Sequence, residues 1–162
     1  QLLSAVLTQT VGEPLRDYAQ RNLFTPLGIA AKDWSWGADD QGYYLGGWGM
    51  NLRPRDIARF GYLYLNEGYW DGTQVISRDW VQESTSKQIT AFSGMDYGYL
   101  WWVHQGESPA VYEALGYGGQ SLYVVPELDL VVVVTANVSG LGGAPDPGST
   151  IYEYIVKAVT DE

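Results

Sequence analysis

The sequence predicts an α+β domain, an antiparallel sheet flanked by helices in an α/β sandwich. Three observations carry that expectation. Apolar residues recur at helical spacing near the start, in the middle and at the end of the chain, over 2–11, 54–65 and 151–159. Between the last two lie two short strands, Gln120 to Val125 and Leu130 to Val134, joined by a Pro-Glu turn. The closing helix then presents one apolar face to lay on a sheet.

Taken in order, Leu2, Leu3, Val6, Leu7 and Val11 form the first helical stripe, which Gly12 ends as a C-terminal cap. Pro14 sits where a first helical turn accepts it, and Leu15, Tyr18, Ala19 and Leu23 continue a second helix closed by Pro26-Leu27-Gly28. Residues 32–52 are rich in Gly, Trp and Asp without periodicity and read as loop, with Lys32-Asp33-Trp34-Ser35-Trp36 on the surface. Asp39-Asp40 lacks the spaced oxygens of a calcium loop and reads as a solvated acidic turn. Gly46-Gly47-Trp48-Gly49-Met50 reads as a close backbone approach; with no strand before it and no Lys-Ser/Thr after it, a phosphate cradle is excluded.

Pro54 opens the strongest amphipathic helix, through Ile57, Ala58, Phe60, Gly61, Leu63, Tyr64 and Leu65, and Gly68 stops it. Asp71-Gly72 marks a turn, and Ser77 caps a short helix through Trp80 and Val81. Tyr97 to Val103 reads as one aromatic strand, and Val111 to Leu115 leads into the glycine turn. Leu130 to Val134 is apolar without alternation, as expected where both faces of a strand are covered. Ser139 to Gly148 is loop by composition, and Asn137-Val138-Ser139 is a chance match to a glycosylation acceptor. Thr150 and Glu153 have capping-box spacing before the closing face of Ile151, Tyr154, Ile155, Ala158 and Val159. No internal repeat or linker interrupts the chain, so residues 1–162 read as a single domain segment.

Composition narrows the function. Nine basic against nineteen acidic side chains give a net charge of −10, which repels phosphate backbones and anionic lipid and argues against nucleic acid as a partner. No apolar run reaches the roughly 20 residues of a membrane span, and Gln1-Leu2-Leu3-Ser4 shows no leader pattern. Without cysteine, and with His104 as the single histidine, neither a disulfide framework nor a His- or Cys-rich metal centre is expected. His104 reads as a solvent-facing residue at a strand end, with no neighbouring carboxylate in sequence to orient it.

The segment that draws chemical interest is Gly116-Tyr117-Gly118-Gly119-Gln120. Two readings stand. The glycines supply the positive φ of a tight hairpin, or they let a backbone N–H approach a ligand where a Cβ would block it. Tyr117, at the lip of the sheet, is expected to point into whatever cleft lies above.

This motif, continuing as "SLYVVPELDLVVVVTAN", resembles the third active-site motif of the penicillin-recognising serine hydrolases, the superfamily of class C β-lactamases, D-amino-acid peptidases, esterases and oligoamide hydrolases. The resemblance extends through "PLGI" (26–29), the cleft-flanking Gly46–Met50, "RDIARFG" (55–61) and "YGYLWW" (97–102). It implies a β-lactamase/transpeptidase-like fold and acyl-enzyme chemistry on an ester, amide or peptide-like small molecule, with no cofactor and no metal. It implies that the backbone N–H of Gln120 is one oxyanion donor and that Tyr117, Gly118 and Gly119 bind substrate. It also implies that the chain begins just past the Ser-x-x-Lys and Tyr-x-Asn motifs, as a C-terminal segment without the N-terminal strands and nucleophile helix, inactive alone. The partner is then the N-terminal half of the same protein, or a second copy through self-association. A periplasmic or secreted location is favoured over the cytoplasm.

One departure matters: Tyr117 stands where the lactamases carry the lysine of Lys-Thr-Gly. A phenol offers a substrate carboxylate no fixed positive charge, which argues against efficient β-lactam hydrolysis and favours ester or amide substrates. Ser84-Thr85-Ser86-Lys87 spells Ser-x-x-Lys, but Ser84 ends a short polar helix and lacks the context of a nucleophile. The rival reading is a non-catalytic binding module for carbohydrate or peptide, using the chain's seven Trp and thirteen Tyr as platforms. Against it, Phe60, Tyr64 and Trp80 are expected in the core.

Overall fold

The computed structural model describes residues 1–91, 94–104, 109–136, 148 and 151–160. The chance match at Asn137-Val138-Ser139, the loop from Ser139 to Pro147 and the Thr150 cap lie outside them. The leading helices are α1 (Leu2–Val11), α2 (Leu15–Ala19), which runs on as a π-helix over Gln20–Phe24, and α3 (Pro54–Leu65), with the ribbon β1 (Ser35–Trp36) and β2 (Met50–Asn51) between Phe24 and α3. A hairpin of β3 (Tyr69–Trp70) and β4 (Thr73–Gln74) follows, then α4 (Arg78–Ser84). The main sheet is β5 (Ile89–Thr90), β6 (Asp96–Tyr97), β7 (Trp102–His104), β8 (Val111–Gly116), β9 (Gln120–Val125) and β10 (Leu130–Val134), and α5 covers Ile151–Val156 and Lys157–Thr160. Every pairing in that sheet is antiparallel, in the order β10-β9-β8-β7-β6-β5.

The sheet is the middle layer. On one face α3 sets Tyr64, with Ile57 and Phe60, against Trp101, Tyr112, Leu122 and Val124. Phe60 and Trp101 stack at 6.1 Å, and Tyr112 meets Trp101 edge-on at 5.2 Å. Gly61 sets how closely helix and sheet approach, because a Cβ there would stand 2.7 Å from both Leu122 Cδ1 and Val131 Cγ1. On the other face, Ile151 and Val156 of α5 pack on Val111, Tyr123 and Val125. The strand expected to be covered on both faces is so: Val131 and Val133 meet the α3 side, while Leu130, Val132 and Val134 meet α5. Its residues are only half-buried, because β10 is the last strand of the sheet.

Several expectations are corrected. Tyr97 to Val103 is two strands, β6 and β7, with Leu100 at φ 68° in the bend between them. Residues 32–52 are not all loop: they include β1 and β2, and Trp34 is buried against Phe24 at 4.3 Å, donating Nε1–H to Gln20 Oε1 at 2.6 Å. Pro14 is the N-terminal cap of α2 rather than part of its first turn. The apolar stripe of α1 faces outward: Leu2, Leu3, Val6 and Leu7 are exposed, and Ser4 is the buried residue of that helix. Trp80 is also exposed, stacked on Tyr99 at 5.5 Å instead of joining the core.

In α5 the buried residues are Ile151 and Val156, with Tyr154 and Val159 exposed. The first turns bond i→i+5, which brings positions five apart onto one side and rotates the face away from the 3.6-residue pattern. His104 is not solvent-facing. It sits two pairs along the ladder from Glu113, on the same face of the sheet, and its Nε2 lies 2.9 Å from Glu113 Oε1. The carboxylate missing from the neighbouring sequence comes from across the sheet.

Other expectations hold. Gly12 caps α1 at φ 72°, with its N–H donating to Thr8 O at 3.0 Å. Ser77 Oγ caps α4 by accepting from the Trp80 N–H at 3.2 Å. Asp39 builds its turn by accepting from the N–H groups of Gln41 and Tyr43. No helix among the described residues is long and apolar enough to cross a membrane.

Candidate active-site wall

Three segments converge at one end of the sheet. The β8–β9 hairpin turns through Tyr117, Gly118 and Gly119, with Gly116 paired to Gln120 across its base. Gly118 and Gly119 take φ of 80° and 86°, so the turn does require its glycines. Facing it is the Gly46–Met50 segment, held by contact between Gly46 and the chain start, where a Cβ would meet Ser4 Cβ at 3.2 Å and Gln1 N at 3.3 Å. The bend between β6 and β7 supplies Tyr97 and Leu100. Together they bound a cleft of about 750 Å³, lined also by Leu52, Ile57, Gln120 and Thr135.

Of the residues expected at the site, Tyr117 and Gln120 line this cleft, whereas Gly118 and Gly119 form the turn between them and do not line it. Tyr117 is 100% exposed on the rim, buried by none of the described residues. Gln120 opens β9, and its side-chain amide donates to the carbonyls of Gly118 and Ala136, tying the turn to the chain that leaves β10. Added by the structure are Trp36, Leu45, Tyr97, Leu100 and Leu115. Nothing local in the sequence marks them, since their place depends on which loops the sheet gathers at this end.

The Ser-x-x-Lys string lies elsewhere and is structural. Ser84 is 0% exposed, with Oγ donating to Val81 O at 3.2 Å and its carbonyl accepting from the Tyr99 N–H at 2.9 Å. Lys87 Nζ pairs with Asp96 Oδ1 at 2.8 Å. That bond to Lys87, with a second from Thr90, holds the Asp96 carboxyl below its ordinary range. A buried serine without a neighbouring base is not a nucleophile. Among the described residues, no three His, Cys, Asp or Glu side chains gather to hold a metal ion.

The beta-lactamase family profile matches residues 1–151. The chain belongs to that serine-hydrolase family. It is 30% identical over 119 residues to a 6-aminohexanoate-dimer hydrolase of Paenarthrobacter ureafaciens, an alignment covering 67% of this chain and 29% of that protein. Two solved structures share the fold. A Bacillus anthracis protein described as a 6-aminohexanoate-dimer hydrolase superposes with a TM-score of 0.79 at 20% identity, over 98% of this chain and 41% of that one. An octameric penicillin-binding protein homologue from Pyrococcus abyssi gives 0.71 at 18% identity, over 99% and 41%. The chain thus spans well under half the length of these relatives, and its antiparallel sheet between helices is the β-lactamase/transpeptidase-like arrangement.

Proposed function

We propose that this chain forms one wall of the acyl-transfer site of a serine hydrolase that acts on ester, amide or peptide-like small molecules. The observation that carries the reading is the cleft itself, where Tyr117 and Gln120 meet the Gly46–Met50 segment at the rim of the sheet. In this reading the Gln120 backbone N–H donates to the oxyanion that forms when a serine Oγ attacks the substrate carbonyl. The serine proton passes to a basic partner and then to the departing alcohol or amine, and water later releases the acyl group. Tyr117 faces the substrate or leaving group, and Gly118 and Gly119 let it approach the backbone. In this reading serine and base are those of the Ser-x-x-Lys and Tyr-x-Asn motifs, which the resemblance places ahead of the segments matched here; among the described residues no serine is paired with a base in that way.

A covalent active-site serine probe tests the reading. It is expected to label the parent protein that carries this segment and to leave the 1–162 chain unlabelled. Labelling of Ser84 in the isolated chain overturns the assignment. The exposed Trp48 and Tyr117 at the cleft give the binding-module alternative its one foothold. Polysaccharide or peptide binding by the chain, with no labelling of the parent, would favour it.

The same reading supplies a partner. The outer edge of β10 has no strand neighbour among the described residues, and Leu130 to Val134 carries neither charge nor proline to blunt it. The apolar side chains of α1 are exposed as well. Residues 1–162 alone are expected to associate with increasing concentration in sedimentation velocity, or to bind an N-terminal half supplied in trans. A single monomeric species across the concentration range, unchanged by added N-terminal half, would show that both surfaces are protected within these residues.

A further inference from the structure

Among the described residues, the walls of the cleft bear no charge. Not one of the lining residues is Lys, Arg, Asp, Glu or His. What they present instead is apolar surface open to solvent. Trp48 is 73% exposed and Leu100 66%, with Leu115 and Met50 exposed beside them. Exposed large apolar side chains gathered around one concavity mark a binding surface rather than chance.

Leu100 is placed there at some conformational expense. A leucine at φ 68° is disfavoured, and the bend holds it through the Gly98 N–H on Trp101 O at 2.8 Å and the Tyr99 N–H on the Ser84 carbonyl at 2.9 Å. Beyond the walls, the chain's net charge of −10 sets a field that opposes anions. A carboxylate entering this cleft would lose water and find no cation on this wall, whereas an alkyl chain would gain by leaving water.

We infer that the cleft selects an uncharged, apolar acyl chain on its ester or amide substrate and discriminates against one ending in a carboxylate, with Leu100 and Trp48 as specificity-determining residues. The inference rests on the hydrolase reading above and narrows its substrate class. Each methylene that reaches the apolar wall is expected to raise kcat/KM by about fourfold, the affinity gain for burying one such group.

The test uses the parent enzyme with two p-nitrophenyl esters of equal acyl length, the hexanoate and the adipate half-ester with its free terminal carboxylate. The hexanoate is expected to be preferred by a factor on the order of a hundred, as for a charge desolvated without a partner. Leu100→Lys should narrow that preference at least about tenfold, by placing a cation on the wall. If Leu100→Lys does not fold, Trp48→Lys at a largely exposed position carries the same expectation. Equal or better turnover of the half-ester, or a preference that neither variant moves, overturns the inference. If the parent turns over neither ester, the hydrolase reading fails on its own account. The cleft is then read by tryptophan fluorescence of the 1–162 chain titrated with hexanamide and with hexanoate, using Trp48→Phe as reference. A Trp48-dependent signal for the amide and not the carboxylate upholds the apolar site, and equal responses or none overturn it.

Discussion

Replacing Gln120 by proline is expected to lower kcat of the parent hydrolase about a hundredfold or more, the usual loss when one oxyanion donor is removed. Proline deletes the backbone N–H and nothing else of catalytic use. Its place at the first residue of β9 is one where a strand tolerates proline, so the sheet should survive. Gln120→Ala is the necessary contrast. It keeps the N–H but releases the side-chain bonds to the Gly118 and Ala136 carbonyls, so its loss of kcat should stay within about tenfold if the N–H is the working group. Both variants are read by kcat on a p-nitrophenyl ester, with thermal unfolding as the check on folding. A folded Gln120→Pro enzyme within about tenfold of the parent rate would remove Gln120 from the oxyanion site. Equal losses in the two variants would shift the role to the side chain that anchors the turn.

How much of this was legible beforehand depends on whether a feature is set locally or by the assembled sheet. β9 and β10 begin and end where their residues say they should, because Gly119, Pro126 and the β-branched runs punctuate the chain within a few residues. Gly12 and Ser77 act as caps for the same local reason. The turn at Gly118 and Gly119 was readable too, although its chemical use was suggested only by resemblance. Trp34 is different: it is core because Phe24 and Gln20 of a preceding helix happen to face it. The pairing of His104 with Glu113 needs the β7–β8 register, which no window of sequence contains. Leu100 is the sharpest miss. A leucine at positive φ has no sequence signal, and the aromatic residues around it all favour continuing the strand.

What breaks that strand is Gly98, and a methyl added there should cost more stability than one added at any glycine lining the cleft. Gly98 is buried, and a Cβ there would stand 2.2 Å from the Ser84 carbonyl oxygen and 2.8 Å from that of Ser86. Both obstacles are backbone, fixed at the end of α4, so no rotamer change relieves the contact. The bend must lift instead, loosening the Tyr99 N–H bond to Ser84 O and the burial of Ser84 beneath it. Overpacking against rigid atoms together with one weakened hydrogen bond costs about 3 kcal/mol or more. For a domain of this size that corresponds to a fall in Tm of roughly 6–12 °C. The same lift carries Tyr97 and Leu100 away from the cleft, so kcat/KM for an apolar ester should fall alongside stability, even under conditions where Gly98→Ala remains folded. Denaturant unfolding at matched concentration and hydrogen exchange at the Tyr99 amide measure the two halves of the argument. A Gly98→Ala chain within about 0.5 kcal/mol of its parent, as for an ordinary surface change, with Tyr99 still protected, would mean that the bend does not rest on α4 as described.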